Sequence, residues 1–356
     1  MVRIADQRIL VAWDPQTKVE HFVREAGFKQ PRRIPAAIDQ LATGDQAAIS
    51  PKPPASKDQD FGFLVPTPTQ PSIESCDGAV FGRLTQRIAP RIEQVQKWEV
   101  SPMPLIFAPF ALSSQAQATR LRVDSPAAMK NSVEVLETKQ VAGYDVAVLK
   151  ADDAGALAQW LKDHDYEARP ALEQWAEPYV AKGWIITAFK YAAQAGRIEA
   201  GAVRMSFVTD EPIFPYRVPS DQIADSDQQN LLQTHLIGPG RASGLLGDGD
   251  ASHPWAQARL KYARPIPNEE LADLLGNSIP QEAIAALAGS WLTTYDDRSW
   301  PSGTEDLRFQ FDSNAGEYQE VKRVVVRRVV PIPLDVVFLV AITGTILVRR
   351  RWRQAK

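Results

Sequence analysis

Alternating apolar and polar residues mark the first elements of the chain. Arg8–Asp14 (RILVAWD) and Lys18–Lys29 (KVEHFVREAGFK) are rich in β-formers, and Asp14-Pro15 between them favours a turn. The pattern therefore predicts a β-hairpin. A shorter apolar run, Asp60–Thr69, ends at two prolines, which cannot donate to a sheet ladder. We expect a strand there that stops, or reaches a sheet edge, at the prolines.

The middle of the chain mixes strand and helix signals. Val133–Leu149 predicts a second hairpin turning near Gly143, and Pro170–Val180 a helix with proline at its first position. Trp184–Tyr191 and Gly201–Val208 form the clearest predicted β pair. Shorter elements are expected at Gly78–Glu93 (a helix interrupted at Pro90), after Asp152 (helix), at Asn268–Leu275 and Gln281–Leu287 (helices) and at Leu307–Phe311 (strand).

The C-terminal tail contains the longest apolar run. Leu334–Val348 (LDVVFLVAITGTILV) would extend ~22 Å as a helix, short of the ~30 Å hydrocarbon core of a bilayer. Adding residues 329–333 brings it to full length. A buried core helix or a terminal strand is the alternative, but the run lacks a regular polar face, which favours a transmembrane helix. The arginines of RRRWR after it favour a cytoplasmic tail, although Arg323, Arg327 and Arg328 also precede it.

These elements predict an α+β fold, mainly an antiparallel sheet with short helices packed on it, plus one C-terminal transmembrane helix. The predicted organisation is a soluble body at 1–321, a juxtamembrane linker at 322–333, the helix at 334–348 and a basic cytoplasmic stub at 349–356. Subdomains at 1–130 and 131–321 are compatible with the pattern. Pro-, Ala- and Ser-rich residues 31–60 and polar, Gly-rich residues 220–255 predict loop insertions.

Charge is unevenly distributed along the chain. The net charge is −3, yet from Lys322 onward there are nine Lys and Arg and a single acid, Asp335. The preceding body is therefore acidic, at about −11, which argues against nucleic acid as a partner because phosphate contacts need a basic face. The single cysteine, Cys76, excludes an internal disulfide and a multi-cysteine zinc site.

Motifs for familiar chemistries do not occur in the sequence. There is no GxSxG, HExxH or GxxxxGK[ST]. Gly238–Asp250 is Gly-rich but predicts a flexible loop, and its Asp248 and Asp250 lack the other ligands of a calcium loop. We therefore predict no catalytic, cofactor-binding or metal-binding residues. The histidines are His21, His164, His235 and His253, far apart in sequence, and the clustered aromatics Trp160, Trp175, Tyr179, Trp184 and Phe189 are best explained by core packing.

Three stretches together carry a family resemblance. They are ILVAWDPQTKVEHFVREAGF with FGFLVPTPTQP, VAGYDVAVLKADDAGALAQWLKDHDY, and PALEQWAEPYVAKGWIITAFKY with RMSFVTDEPIFPYRVPS. Between Ile9 and Pro219 the chain resembles a family of uncharacterised bacterial envelope proteins, the domain of unknown function 2330. The resemblance implies an exported protein with an N-terminal signal and early cysteines, features that MVRIADQRILVAWDP lacks. It implies no catalytic residues.

Three hypotheses for function follow. The first is a membrane-anchored extracytoplasmic protein of the bacterial cytoplasmic membrane, single-pass, with a periplasmic or extracellular body that acts as a binding or assembly module of the envelope. Its predicted partners are the lipid bilayer, through Leu334 to Val348, and an envelope protein or ligand. The second is an envelope hydrolase whose site assembles from scattered Asp, Glu and His. The third is a tail-anchored cytoplasmic protein.

Overall fold

The computed structural model describes residues 3–29, 62–103, 134–166, 169–191, 201–223, 230–301 and 303–354. The chain divides into two compact units. The larger unit comprises Met1–Ala89 and Arg120–Gln319, and the smaller unit comprises Pro90–Thr119 and Glu320–Lys356. The predicted insertion at residues 31–60 lies outside the described residues.

Strands and helices are numbered in chain order. The strands are β1 (Arg3–Asp14), β2 (Val19–Lys29), β3 (Gly62–Thr67), β4 (Ser72–Cys76), β5 (Arg91–Met103), β6 (Glu134–Val141), β7 (Tyr144–Lys150), β8 (Ile185–Tyr191), β9 (Ala202–Val208), β10 (Ile213–Phe214), β11 (Leu232–Gly238), β12 (Arg241–Leu246), β13 (His253–Pro254), β14 (Ala258–Pro265), β15 (Trp291–Asp297), β16 (Leu307–Asp312), β17 (Tyr318–Gln319) and β18 (Val321–Pro333). The α-helices are α1 (Ala79–Arg87), α2 (Ala154–Asp163), α3 (Pro170–Ala181), α4 (Asn268–Leu275), α5 (Gln281–Ala286) and α6 (Leu334–Gln354).

The β1–β2 hairpin lies in the middle of an eight-stranded sheet with the order β17-β14-β15-β11-β1-β2-β9-β4. Strand β1 pairs antiparallel with β2 and parallel with β11. Its side chains alternate between two buried clusters, with Ile9 and Val11 in one and Leu10 and Ala12 in the other. A strand buried on both faces needs a continuous apolar run, which explains the sequence ILVA. The predicted first hairpin is confirmed.

Both faces of this sheet are covered within the larger unit. On one face, helices α1, α4 and α5 contribute Val80, Phe81, Leu271, Leu275 and Ile284 to a buried cluster. On the other face lie two four-stranded sheets, with the orders β3-β8-β7-β6 and β10-β16-β12-β13. Helices α2 and α3 then cover the far side of the first of these, through side chains such as Leu157 and Tyr179. The larger unit is therefore layered helix–sheet–sheet–helix over part of its extent.

Several predicted elements are confirmed, together with the residues that begin them or form their turns. Asp153 caps α2 by accepting a hydrogen bond from the backbone N–H of Ala156 at 2.7 Å. Pro170 stands at the first position of α3, where its missing N–H has no cost. The second predicted hairpin forms from β6 and β7 around Gly143, which has φ of 84°. Local capping and turn chemistry was thus sufficient to place these elements.

The Gly-rich stretch near residue 240 is a pair of strands, not the predicted loop. Strands β11 and β12 lie within residues 220–255, and their glycines are sites of close packing. A Cβ on Gly238 would lie 2.3 Å from Cζ of Phe311, and one on Gly240 would lie 2.5 Å from the backbone carbonyl carbon of Asp312. Glycine is required here because neighbouring groups approach the backbone closely.

The predicted α+β fold class is wrong, because the chain is mostly β and forms several sheets. Strands β11 to β13 lie within the predicted loop insertion at 220–255, and β18 occupies the predicted juxtamembrane linker at 322–333. A second correction concerns the predicted pair β8 and β9. Both are strands, but β8 pairs with β3 and β7, whereas β9 pairs with β2 and β4. Strand propensity is local, while the choice of partner depends on the whole fold.

The smaller unit consists of a two-stranded parallel ribbon, β5 with β18, and helix α6. Helix α6 begins at Leu334, as predicted, but continues through Arg349–Arg351 to Gln354. Residues 329–333, which the prediction added to the span, belong to β18. None of the helices in the described ranges combines the length and the apolar character that a membrane crossing requires. The predicted transmembrane helix at Leu334 to Val348 is therefore wrong, because its apolar part alone extends only ~22 Å.

Candidate functional site

His21 and Ser206 form a hydrogen-bonded pair across β2 and β9, with 2.8 Å between Nδ1 and Oγ. Burial, followed by the charge of Arg204, lowers the pKa of His21 to about 4, so the imidazole is neutral at neutral pH. Asp14 is close enough to oppose this shift through its charge. Its carboxylate, however, accepts hydrogen bonds from the backbone N–H and the hydroxyl of Thr17, at 3.3 and 2.6 Å. The carboxylate therefore fixes the β1–β2 turn.

His235 is buried and Cys76 is partly buried in the larger unit. Nδ1 of His235 lies 3.0 Å from Oγ1 of Thr294, and burial lowers the pKa of His235 to about 3. Burial raises the pKa of the Cys76 thiol to about 12, which keeps it protonated. A protonated thiol is a poor nucleophile.

The other two histidines lie apart from these. His164 stacks on Trp160 at the end of α2, with ring centroids 3.8 Å apart. His253 is exposed, and its Nε2 lies 3.7 Å from a carboxylate oxygen of Glu305. Within the described parts of the chain, no group of three or more His, Cys, Asp or Glu could hold a metal ion.

Asp248 and the aromatic residues singled out in the sequence make structural contacts with other described residues. Asp248 forms ion pairs with Lys182 and Arg308, and the hydrogen bond from Lys182 is the main cause that lowers its pKa. Asp250 is exposed. The clustered aromatics pack in the hydrophobic core, as predicted: Trp160, Trp175 and Tyr179 are buried under α2 and α3, Trp184 packs against them, and Phe189 lies in the core between the sheets.

A small pocket opens between β2 and the sheet β3-β8-β7-β6, and Arg24 lines it. The space it encloses is only about 10 Å³, enough for about one water molecule. The guanidinium carbon of Arg24 lies 4.2 Å from the centroid of the Phe63 ring, and Nη2 donates to Oε1 of Gln7 at 3.3 Å. Nε has no hydrogen-bond partner among the described residues. The remaining lining residues are Phe22, Val65, Tyr144, Phe189, Val203 and Met205.

Glu20 lies on the same inward face of β2, two residues before Phe22. Its side chain is fully buried, and Oε2 accepts a hydrogen bond from the backbone N–H of Ile213 at 2.9 Å. Oε1 has no partner in the described part of the chain. Burial raises the pKa of Glu20 well above its usual value, and the hydrogen bond from Ile213 only partly offsets this shift. The core thus contains a carboxyl group that favours its neutral form.

Sequence reasoning missed both inward-facing polar residues of β2. The segment KVEHFVRE was interpreted as one polar face with cross-strand pairing of Glu20, His21, Arg24 and Glu25. Only Glu25 has that role, since it forms an ion pair with Arg8 on β1. Glu20 and Arg24 instead alternate with Phe22 on the core face. The available signal was their even spacing with Phe22, because residues i and i+2 of a strand share a face.

The smaller unit exposes apolar side chains on both strands of its ribbon and on α6. Trp98 of β5 is 59% exposed, with the guanidinium of Arg328 lying 5.6 Å from its ring centroid. On α6, Ile342 is 58% exposed and Trp352 is 79% exposed. The other exposed apolar residues of this unit are Ile92, Val95, Val321, Val324, Val325, Val326, Ile346, Leu347 and Val348. Side chains of this kind normally mark an interaction surface when they are contiguous.

Basic residues accompany this apolar surface. Residues 90–103 and 320–354 contain ten Lys and Arg and four Asp and Glu. On α6, Ile342 and Ile346 are one turn apart, and Arg349 and Arg353 continue the same row at helical spacing. The helix therefore changes from apolar to basic along a single face.

Comparison with protein families assigns the chain. Residues 49–241 match the family described as "Uncharacterized protein conserved in bacteria (DUF2330)". The match covers more than half of the chain, and the chain belongs to this family. The resemblance noted from the sequence is thereby confirmed.

Other comparisons add little. A search of curated proteins gave no match. Among solved structures, the caspase-8/P35 complex is matched at 6% identity over 86% of this chain and 93% of that chain, with a TM-score of 0.35. A mutated baculovirus P35 after caspase cleavage is matched at 8% identity over 86% and 100%, with a TM-score of 0.34. Scores this low do not establish a shared fold.

Proposed function

We propose that this protein is a binding or assembly module of the bacterial envelope that contacts an anionic lipid surface through its smaller unit. The observation that carries the proposal is the row on α6 in which exposed Ile342 and Ile346 lead directly into Arg349 and Arg353. Arginine side chains can reach phosphate headgroups while neighbouring apolar side chains lie at the acyl boundary. The proposal requires surface contact only, not a membrane-spanning helix.

The uneven distribution of charge along the chain supports lipid contact through the smaller unit. The basic smaller unit would be attracted to anionic lipid, whereas the acidic residues before Lys322 would be repelled. Because exposed Lys and Arg near an anionic surface each contribute ~1 kcal/mol at most, binding should need several of them together with the apolar side chains. An extracytoplasmic location for the larger unit is part of the proposal, and it rests on the family resemblance. A fusion of alkaline phosphatase at Gln319, inactive in cells that carry the full gene, would contradict that location.

Binding to lipid vesicles tests the proposed function. We expect the full chain to co-sediment with vesicles containing about 30% phosphatidylglycerol and to bind phosphatidylcholine vesicles about tenfold more weakly at ~0.1 M salt. Replacing Arg349 and Arg353 together with Gln should lower the partition coefficient about tenfold, because both headgroup contacts of this row are lost.

A matched variant controls for net charge. Lys150 and Lys162 are exposed residues of the larger unit, and replacing both with Gln removes the same charge. This control should bind anionic vesicles as the wild type does. Equal binding to both vesicle types, or an equal loss in the control, would show that α6 does not recognise anionic lipid.

A further inference from the structure

We propose that two copies of this protein associate through β5, the outer edge of which pairs antiparallel with the same edge of a second copy about a two-fold axis at Val95. The two ribbons would then form one four-stranded sheet in the order β18-β5-β5-β18. The contact lies wholly within the smaller unit. Because it uses the edge of β5, it does not depend on the lipid contact proposed for α6.

Strand β5 has an edge available for pairing. Of the described strands, only β18 pairs with β5. The backbone N–H of Arg91 donates to the carbonyl oxygen of Glu320 at 2.9 Å, and the parallel register then continues without a shift to the end of β5. Alternate residues of a strand direct their N–H and C=O groups to opposite edges. The even-numbered residues from Ile92 to Trp98 therefore direct these groups away from β18.

The stability of the ribbon also favours a further partner. A two-stranded ribbon in water is marginally stable, and three or more strands are needed for independent stability. Edges that must stay single usually carry proline or are otherwise blocked, but Arg91–Trp98 contains no proline. Instead, Ile92, Val95 and Trp98 are 60%, 45% and 59% exposed. A second copy would cover these side chains and extend the sheet.

The sequence of β5 is complementary to itself in one antiparallel register. Pairing centred on Val95 places Glu93 opposite Lys97 of the second copy, and Ile92 opposite Trp98. The remaining pair consists of two glutamines. Two-fold symmetry repeats each of these pairs on the other side of the axis. Acid thus meets base and apolar meets apolar, which are the combinations that stabilise neighbouring strands.

The charge pattern excludes the obvious alternatives. Moving the axis to Gln94 would place Arg91 opposite Lys97, and both are basic. Strand β18 contains four Lys and Arg and no acid, so no register of β18 with itself pairs opposite charges. Charge complementarity therefore selects β5 as the edge and a second copy of the chain as its partner.

Reversal of one charge tests the contact. In light scattering without lipid, we expect the full chain at about 100 µM to approach twice its monomer mass of 39.4 kDa. Lys97→Glu should raise the dissociation constant at least about tenfold, because the introduced carboxylate lies opposite Glu93 in both symmetry-related pairs. The ribbon itself should not be weakened, since position 97 lies opposite Arg327 of β18.

A mixture of two variants separates charge repulsion from loss of structure. Glu93→Lys should also weaken self-association, because it faces Lys97 of the second copy. When Glu93→Lys and Lys97→Glu are mixed, every charged pair at these positions is opposite again, so a heterodimer should form with an affinity close to that of the wild type. Lys162→Glu makes the same change of charge on an exposed residue of α2, and it should dimerise as the wild type does.

Cross-linking tests the register in a Cys76→Ser background. Val95→Cys should form an intermolecular disulfide under mild oxidation, because the Cα atoms of a residue pair on the axis lie ~4.5–5.5 Å apart. Lys97→Cys is the control. Its two copies lie four residues apart along the strands, about 13 Å, which is too far for a disulfide.

Three results would overturn the proposal. The first is a full chain that remains monomeric at about 100 µM. The second is a Lys97→Glu variant that dimerises as tightly as the wild type. The third is a dimer in which Lys97→Cys cross-links as readily as Val95→Cys, since association would then use another register or another surface.

Discussion

As the pH falls from about 7.5 to about 4.5, protonation of His235 in the unfolded chain should lower the free energy of unfolding by about 2.5 kcal/mol. This imidazole is fully buried on β11, and burial together with the charge of Arg8 lowers its pKa from 6.5 to about 3. In the unfolded chain the same histidine takes up a proton near pH 6.5. The stabilisation is complete above that value and is lost progressively as the pH falls towards 3.

The contribution is measurable as a difference between wild type and His235→Leu. Leucine suits the apolar surroundings that Phe81 provides and cannot titrate. In urea unfolding at about pH 7.5, 6 and 4.5, the stability of the variant relative to the wild type should rise by about 1.4 kcal/mol per pH unit below pH 6.5.

A second variant separates titration from packing. Thr294→Val removes the hydroxyl that lies 3.0 Å from Nδ1 of His235 but leaves the imidazole in place. It should be less stable than the wild type at every pH, with a nearly unchanged pH dependence. If the free energies of unfolding of His235→Leu and the wild type change equally with pH, the histidine does not remain neutral in the folded state.

Much of the local structure of the larger unit could be predicted from the sequence. The β1–β2 hairpin, the β6–β7 hairpin around Gly143 and helix α3 depend on turn residues, capping and proline position, which act within a few residues. Pairing over long distances could not be predicted in this way. Strand β8 joins β3 and β7 while β9 joins β2, although both have equally strong strand propensity.

The two larger errors have separate physical causes. Glycine near residue 240 was interpreted as a loop signal, but Gly238 and Gly240 are needed because Phe311 and Asp312 lie against the backbone. The apolar tail was interpreted as a membrane span, but the residues needed to lengthen it form the end of β18. In both cases the composition was read correctly, and the tertiary context that decides its meaning was absent from the sequence.

The candidate pocket was hidden for a related reason. Alternation identified β2 as a strand, but polar residues at positions 20 and 24 suggested a solvated face. Both faces of the β1–β2 hairpin are buried, so Glu20 and Arg24 lie in the core beside Phe22. Two inward positions on either side of Phe22 thus contain polar groups without complete hydrogen bonding, and each should affect stability in a way that a solvated residue would not.

For Glu20 the expected effect has the opposite sign to that of His235. Burial raises the pKa of this carboxyl well above its usual value, so the folded state retains a proton that the unfolded chain releases near pH 4.5. The resulting stabilisation is present below pH 4.5 and is lost as the pH rises through the pKa of the folded state. Glu20→Gln replaces the carboxyl with a neutral group of the same shape, which can still accept the hydrogen bond from Ile213.

Relative to the wild type, Glu20→Gln should gain up to about 1.4 kcal/mol per pH unit as the pH rises from 5 towards 7. Urea unfolding of both proteins at about pH 5, 6 and 7 measures this gain. Thr234→Val serves as the control, because it changes another fully buried polar side chain that does not titrate, and its effect should be the same at each pH. A constant difference between Glu20→Gln and the wild type would mean that Glu20 is ionised in the folded protein. The core would then have to provide a partner for Oε1, so the neutral carboxyl and the unpaired oxygen are tested together.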